Sequence, residues 1–163
     1  MPDPAVAFIA LGSNLDDPRA QVERGFDALA ALPRTALTAR SRMFRTPPWG
    51  MLEQPDFVNA VAKLATKLSP RALLDALLGI EARAGRVRDV PNGPRVLDLD
   101  LLLYGDCSLR EAGLAIPHPR LQQRAFVLLP LADLAPDLEV PGQGRVVDLL
   151  ARVDSSGCVP LAP

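Results

Sequence analysis

An α+β sandwich is the fold class that the 163-residue sequence predicts, and three observations carry it. Apolar or alternating runs at residues 5–11, 35–45, 56–66 and within 93–106 have the length or the two-residue period of strands. Two stretches with helical spacing fall between the first pair and the last pair of these runs. The resulting order is βαββαβ, a ferredoxin-like arrangement in which two helices cover one face of an antiparallel sheet. The opposite face is then left open for a site built with the connecting loops.

The first run, residues 5–11, ends in Gly12-Ser13-Asn14 and reads as a buried strand followed by a turn. Asp17 caps the helix that follows, Pro18 occupies its first position, and Val22, Phe26, Leu29 and Leu32 mark its apolar stripe until Pro33 stops it. Residues 35–45 alternate, with Leu37, Ala39 and Met43 against Thr38, Arg40 and Arg42. The rigid loop TPPWGMLEQP precedes a second alternating run at 56–66. Ser69-Pro70 opens a helix that carries Leu73, Leu77, Ile80 and Ala84 on one side and closes at Gly85. Residues 85–94, GRVRDVPNGP, have no period and read as a mobile loop. The fourth strand lies in GPRVLDLDLLLYGD, followed by a turn at 105–108, a helix over 119–134 and a Pro/Gly-rich tail with a brief apolar run at 146–150.

With 48% apolar residues this length supports one domain over residues 1–163. A formal charge of −1 argues against a general nucleic-acid binder. Only Lys63 and Lys67 among the 18 basic residues are lysines, so positive charge is presented as planar guanidinium groups suited to carboxylate or phosphate. Cys107 and Cys158 are far apart, no secretory leader pattern is visible, and no apolar run reaches the ~18 residues of a membrane span. Reduced thiols and a cytoplasmic location are the simpler reading.

Two acids stand in the leucine-rich fourth strand. Pleating puts Leu97, Leu99, Leu101 and Leu103 on one face and Asp98 and Asp100 on the other, roughly 6.6 Å apart along the strand. Carboxylates that close repel unless a cation is near, and oxygen ligands in a chain with one histidine favour Mg²⁺ over zinc. Solvated aspartates, or partners of nearby arginines, are the alternative. The same test on residues 56–66 sets Val58, Ala60, Ala62 and Leu64 toward the helices and Phe57 and Asn59 beside the aspartates. An aromatic ring next to a carboxamide suits a flat, hydrogen-bonding heterocycle, although Phe57 could instead lie under the TPPWG loop.

Between Arg83 and Arg95 there are four arginines and one acid, Asp89. Arg86, Arg88 and Arg95 could converge on polyphosphate, or they could form an ordinary solvated face. His118, the single histidine, stands at a predicted helix start with Arg124 one to two turns beyond; it is either a helix cap or a phosphate contact. No G-x-x-x-x-G-K-[ST] loop, dinucleotide fingerprint, G-x-S-x-G or Cys/His nucleophile pattern is present.

The ordered set ALGSNL, FRTPPWG, QPDFVNAV, IEARAGRVR, GPRVLDLDLLLYGD and IPHPRLQQRAFVLLPLADLAP resembles the 6-hydroxymethyl-7,8-dihydropterin pyrophosphokinase family over nearly the whole chain. That resemblance implies transfer of diphosphate from ATP to a pterin alcohol. It implies that Asp98 and Asp100 hold two Mg²⁺ ions and, with Arg86 and Arg95, form the catalytic set. Phe57 and Phe126 would sandwich the pterin, with Asn59 and groups around Thr46, Pro47 and Trp49 on its edge. Leu74, Glu81, Arg86, Arg88, Arg95, Leu101, His118 and Arg124 match positions at the nucleotide. The chain departs from better-known members at Leu78, Asn92, Gly113 and Pro119, changes that bear on nucleotide affinity and not on the metal pair. A monomer is expected, with a weak homodimer as the alternative. The rival readings are a ferredoxin-like module that binds a ligand or RNA without catalysis, and a metal-dependent nucleotidyltransferase. RNA binding is disfavoured because the aspartates would repel a phosphate backbone.

Overall fold

The computed structural model describes residues 3–48, 52–85 and 96–162. In chain order the elements are β1 (Ala5–Ser13), α1 (Pro18–Ala30), β2 (Thr35–Arg40), β3 (Phe44–Thr46), β4 (Phe57–Thr66), α2 (Pro70–Arg83), β5 (Asp98–Tyr104), β6 (Leu109–Glu111), β7 (Leu114–Ile116), a 3₁₀ turn (Leu121–Gln123), α3 (Ala125–Leu134), β8 (Glu139–Val140), β9 (Gly144–Arg145), α4 (Val146–Leu150) and β10 (Val159–Pro160). The main sheet is antiparallel, ordered β10-β3-β4-β1-β5, with β2 also paired to β4. The mixed α and β content and the antiparallel sheet are those expected.

Both major helices begin as their sequences dictate. The Asp17 carboxylate accepts from Ala20 N at the start of α1, and Ser69 Oγ accepts from Ala72 N at the start of α2, each with proline just inside the helix. Gly85 takes φ 86° beyond α2, a backbone state that glycine adopts without a Cβ clash. Val22, Phe26 and Leu29 of α1 and Leu73, Leu77 and Ile80 of α2 bury against Ile9 and Leu11 of β1, Ala60, Ala62 and Leu64 of β4, and Leu97, Leu99 and Leu101.

Several expectations required correction. Gly12 and Ser13 belong to β1, paired with Asn59 and Val58, instead of forming a turn. The predicted strand at 35–45 splits because Ser41 engages Val61 twice: Ser41 N donates to Val61 O (2.9 Å) and Val61 N donates to Ser41 Oγ (2.8 Å). The predicted helix at 119–134 is interrupted at Arg124, whose extended φ −113° and ψ 100° separate the 3₁₀ turn from α3. Leu103 does not join Leu97, Leu99 and Leu101. A register shift pairs Phe8 with Leu103 but Ile9 with Leu101, leaving Leu102 as the extra residue, and Leu103 then packs on the opposite side.

That opposite side is not bare. Leu128 and Leu131 of α3 and Val146 and Leu149 of α4 form a second core with Phe8, Ala10, Val61, Leu102 and Leu103. Arg42 fastens α3 by donating from N and Nε to the Asp133 carboxylate at 2.9 and 3.0 Å. The end of the sheet carrying Phe57, Asn59 and Asp98 lies outside this second core. The tail then returns to the sheet: β10 pairs with β3, and Leu161 N donates to Met43 O at 2.9 Å. Cys107 and Cys158 are free thiols, and among the described residues no helix is long and apolar enough to cross a membrane.

Candidate active site

Antiparallel register brings residues remote in sequence onto one transverse row. Gly12 of β1 pairs with Asn59 of β4 on one side and with Asp98 of β5 on the other, and Ala10 pairs with Asp100 one pleat along. At the usual strand spacing this puts the Cα atoms of Asn59 and Asp98 roughly 10 Å apart on the same face. Phe57 adjoins them, its Cδ1 3.9 Å from where a Cβ on Gly12 would stand. The predicted grouping of the aspartates, Phe57 and Asn59 is therefore the one the fold makes. Asn59 is 8% exposed and donates from Nδ2 to Thr46 Oγ1 at 2.6 Å, which ties the third residue of β3 into the group.

His118 and Arg124 approach the aspartates from the segment after β7. His118 N donates to Leu102 O at 2.9 Å, docking that segment on the outer edge of β5. Its Nδ1 accepts from Arg120 N at 3.2 Å, so the ring both closes a turn and leaves Nε2 to carry the proton. Burial foremost, then the Arg124 cation, push the His118 pKa down to about 4 against the opposing pull of Asp98. His118 is thereby neutral near pH 7. Arg124 lies 4.0 Å from Asp100 and 5.6 Å from the Phe126 ring centroid, with its side chain only 16% exposed. Burial lowers the Arg124 pKa from its ordinary value, and Asp100 counters it.

Glu81 is placed differently from the rest. It is 2% exposed on α2, and its Oε2 accepts from Leu99 N at 2.8 Å, on the main chain between the two aspartates. Leu101 is buried in the helix-side core, and Leu74 packs against that core, so neither side chain shares the aspartate face. Trp49, Arg86, Arg88 and Arg95, like the departure at Asn92, lie outside the described residues.

Two contributors were missed by reading the sequence. Asn14, 2% exposed, donates from Nδ2 to Gln54 Oε1 and Pro55 O, both at 2.9 Å, and so anchors the segment leading into Phe57. A buried amide just after an apolar strand was its only local signal. The tail has no local signal at all. Val153, Gly157 and Cys158 line a cavity of about 310 Å³ together with Pro47 and Phe126.

Among the described residues no group of three or more His, Cys, Asp or Glu side chains could hold a metal. Two carboxylates remain, a donor set that suits an ion which keeps water and ligand phosphate oxygens in its shell.

A family model described as 7,8-dihydro-6-hydroxymethylpterin-pyrophosphokinase matches residues 8–136. The chain is 51% identical over 150 residues to the 2-amino-4-hydroxy-6-hydroxymethyldihydropteridine pyrophosphokinase of Pseudomonas aeruginosa, covering 92% of this chain and 93% of that protein. To the protein of the same name from Haemophilus influenzae it is 42% identical over 157 residues, covering 96% and 98%. A solved Plasmodium falciparum HPPK-DHPS with pteroate superimposes with a TM-score of 0.75 at 13% identity, covering 93% of this chain and 43% of that one, a likeness of fold alone.

Proposed function

The chain belongs to the 7,8-dihydro-6-hydroxymethylpterin-pyrophosphokinase family, and from that premise we propose how its residues share the reaction. The enzyme transfers diphosphate from ATP to the hydroxymethyl group of 6-hydroxymethyl-7,8-dihydropterin in folate biosynthesis. The alcohol oxygen forms a bond to the β-phosphorus, the bond from that phosphorus to the α-phosphate bridging oxygen breaks, and AMP leaves.

Asp98 and Asp100 would hold Mg²⁺, two ions in our reading; bound there, the metal would neutralise phosphate charge and ease ionisation of the alcohol. The supporting observation is the donor set itself: two hard carboxylates on one face, with Arg124 rather than a third acid beside them. Phe57 and Phe126 stack on the pterin, and the Asn59 carboxamide binds its edge together with Thr46, Pro47 and Trp49. Arg124 and His118 contact the phosphates, joined by Arg86, Arg88 and Arg95. Neutral His118 does so as a hydrogen-bond donor and not as a charge. Glu81 acts by fixing the β5 main chain beneath the nucleotide. Leu74 and Leu101, whose side chains lie on the helix side, shape the nucleotide site through backbone and core. No residue is assigned the alcohol proton.

We further read the four long strands and α1 and α2 as a ferredoxin-like unit, on the strand order β2-β4-β1-β5, within a single domain that works as a cytoplasmic monomer without nucleic acid. The observation that carries the functional reading is the convergence of Phe57, Asn59, Asp98 and Arg124 on one end of the sheet inside the region matched by the family. Incubation with ATP, Mg²⁺ and the pterin alcohol should yield AMP and the pterin diphosphate in equal amounts, and EDTA should abolish both. Release of inorganic diphosphate instead would mark nucleotidyl transfer.

A further inference from the structure

Gly12 has no backbone reason to be glycine. Its φ lies outside the left-handed region, it sits in the regular register of β1, and glycine weakens a strand interior. Space is the reason. A Cβ at this position would stand 2.6 Å from Asn59 Oδ1, closer than real Cβ atoms approach a heavy atom. The carboxamide cannot simply turn away, because Nδ2 is held by Thr46 Oγ1 at 2.6 Å, and both residues are buried, at 8% and 1% exposure. Gly12 thus permits the one orientation in which Asn59 presents an acceptor toward the middle of the row, and it leaves the floor between Asn59 and Asp98 at backbone level.

We propose that Gly12 is a specificity-determining residue, whose missing side chain fixes the carboxamide orientation of Asn59 and so the recognition of an N–H donor on the edge of the pterin. The inference rests on the assignment of Asn59 to that edge. A side chain at position 12 forces the amide to rotate, which breaks the Thr46 hydrogen bond or offers the ligand the wrong end of the amide.

The test compares Gly12→Ala, Asn59→Ala and the double variant by calorimetric titration with the pterin alcohol, alongside ATP KM and thermal melting. Gly12→Ala should weaken pterin binding about tenfold, the worth of one oriented hydrogen bond, with ATP KM within twofold. In the Asn59→Ala background the same substitution should cost almost nothing, since the group it displaces is gone. Pterin affinity unchanged in Gly12→Ala, or an equal loss in both backgrounds, overturns the proposal. If Gly12→Ala fails to fold, recovery of folding in the double variant supports the clash with Asn59, and failure of both refutes it. Unchanged pterin affinity in Asn59→Ala alone would instead remove the assignment of Asn59, separating that failure from this one.

Discussion

Arg124 faces Asp100 at 4.0 Å. The same guanidinium lies over the Phe126 ring, 5.6 Å from its centroid, so one cation joins the acidic strand to the first turn of α3. Replacing it by alanine removes the phosphate contact proposed for this guanidinium. Arg124→Ala should lower kcat/KM for ATP roughly 10- to 100-fold, as loss of a charge-assisted hydrogen bond does, and Arg124→Lys should recover only part of it because a point charge replaces a planar fork. Steady-state kinetics at varied ATP decide this; values within twofold of wild type would remove Arg124 from the nucleotide site.

The aspartates lead to a different signature. Asp98→Ala and Asp100→Ala should each reduce kcat on the order of 10³-fold, about 4 kcal/mol of transition-state stabilisation, while pterin affinity changes only a few-fold. Kinetics combined with pterin titration separate the two quantities. Activity preserved within a few-fold in both variants would eliminate the metal-pair assignment.

Glu81 bears on stability as much as on the site. Its carboxylate is the acceptor for Leu99 N inside a buried region. Glu81→Ala should cost about 1–3 kcal/mol, the penalty for leaving a buried donor without that acceptor, whereas Glu81→Gln retains an oxygen there and should cost less. Denaturant unfolding measures both, and equal losses would show that the hydrogen bond is not what the position supplies.

For His118 the sign follows from a folded-state pKa of about 4 against an ordinary value of 6.5. Between those values the unfolded chain binds the proton and the folded chain resists it, so this residue withdraws stability as pH falls from about 6.5 toward 4 and has no effect above that window. Melting of the metal-free protein across this range should therefore drop more steeply for wild type than for His118→Gln. Parallel curves would mean that protonation of His118 is not opposed by folding.

Much of this site was legible because it depends on local rules. Alternation placed Asp98, Asp100, Phe57 and Asn59 on one face, and antiparallel pairing then made them neighbours across Gly12. The caps at Asp17 and Ser69 were equally readable, since a cap is a contact between residues three apart. Leu103 escaped the same alternation because a bulge is set by the partner strand, not by the strand that contains it.

The sequence by itself determined α1 and α2 with their caps, the four segments that pair as β1, β2, β4 and β5, and the shared face of Phe57, Asn59, Asp98 and Asp100, because dihedral periodicity and capping act over a few residues. Only the tertiary structure decided that α3 and α4 cover most of the face that pattern left bare, that the tail returns beside Pro47, and that Asn59 requires emptiness at position 12. Those outcomes depend on which surfaces meet and how much room remains between them, and packing of that kind is fixed by residues far apart in the chain.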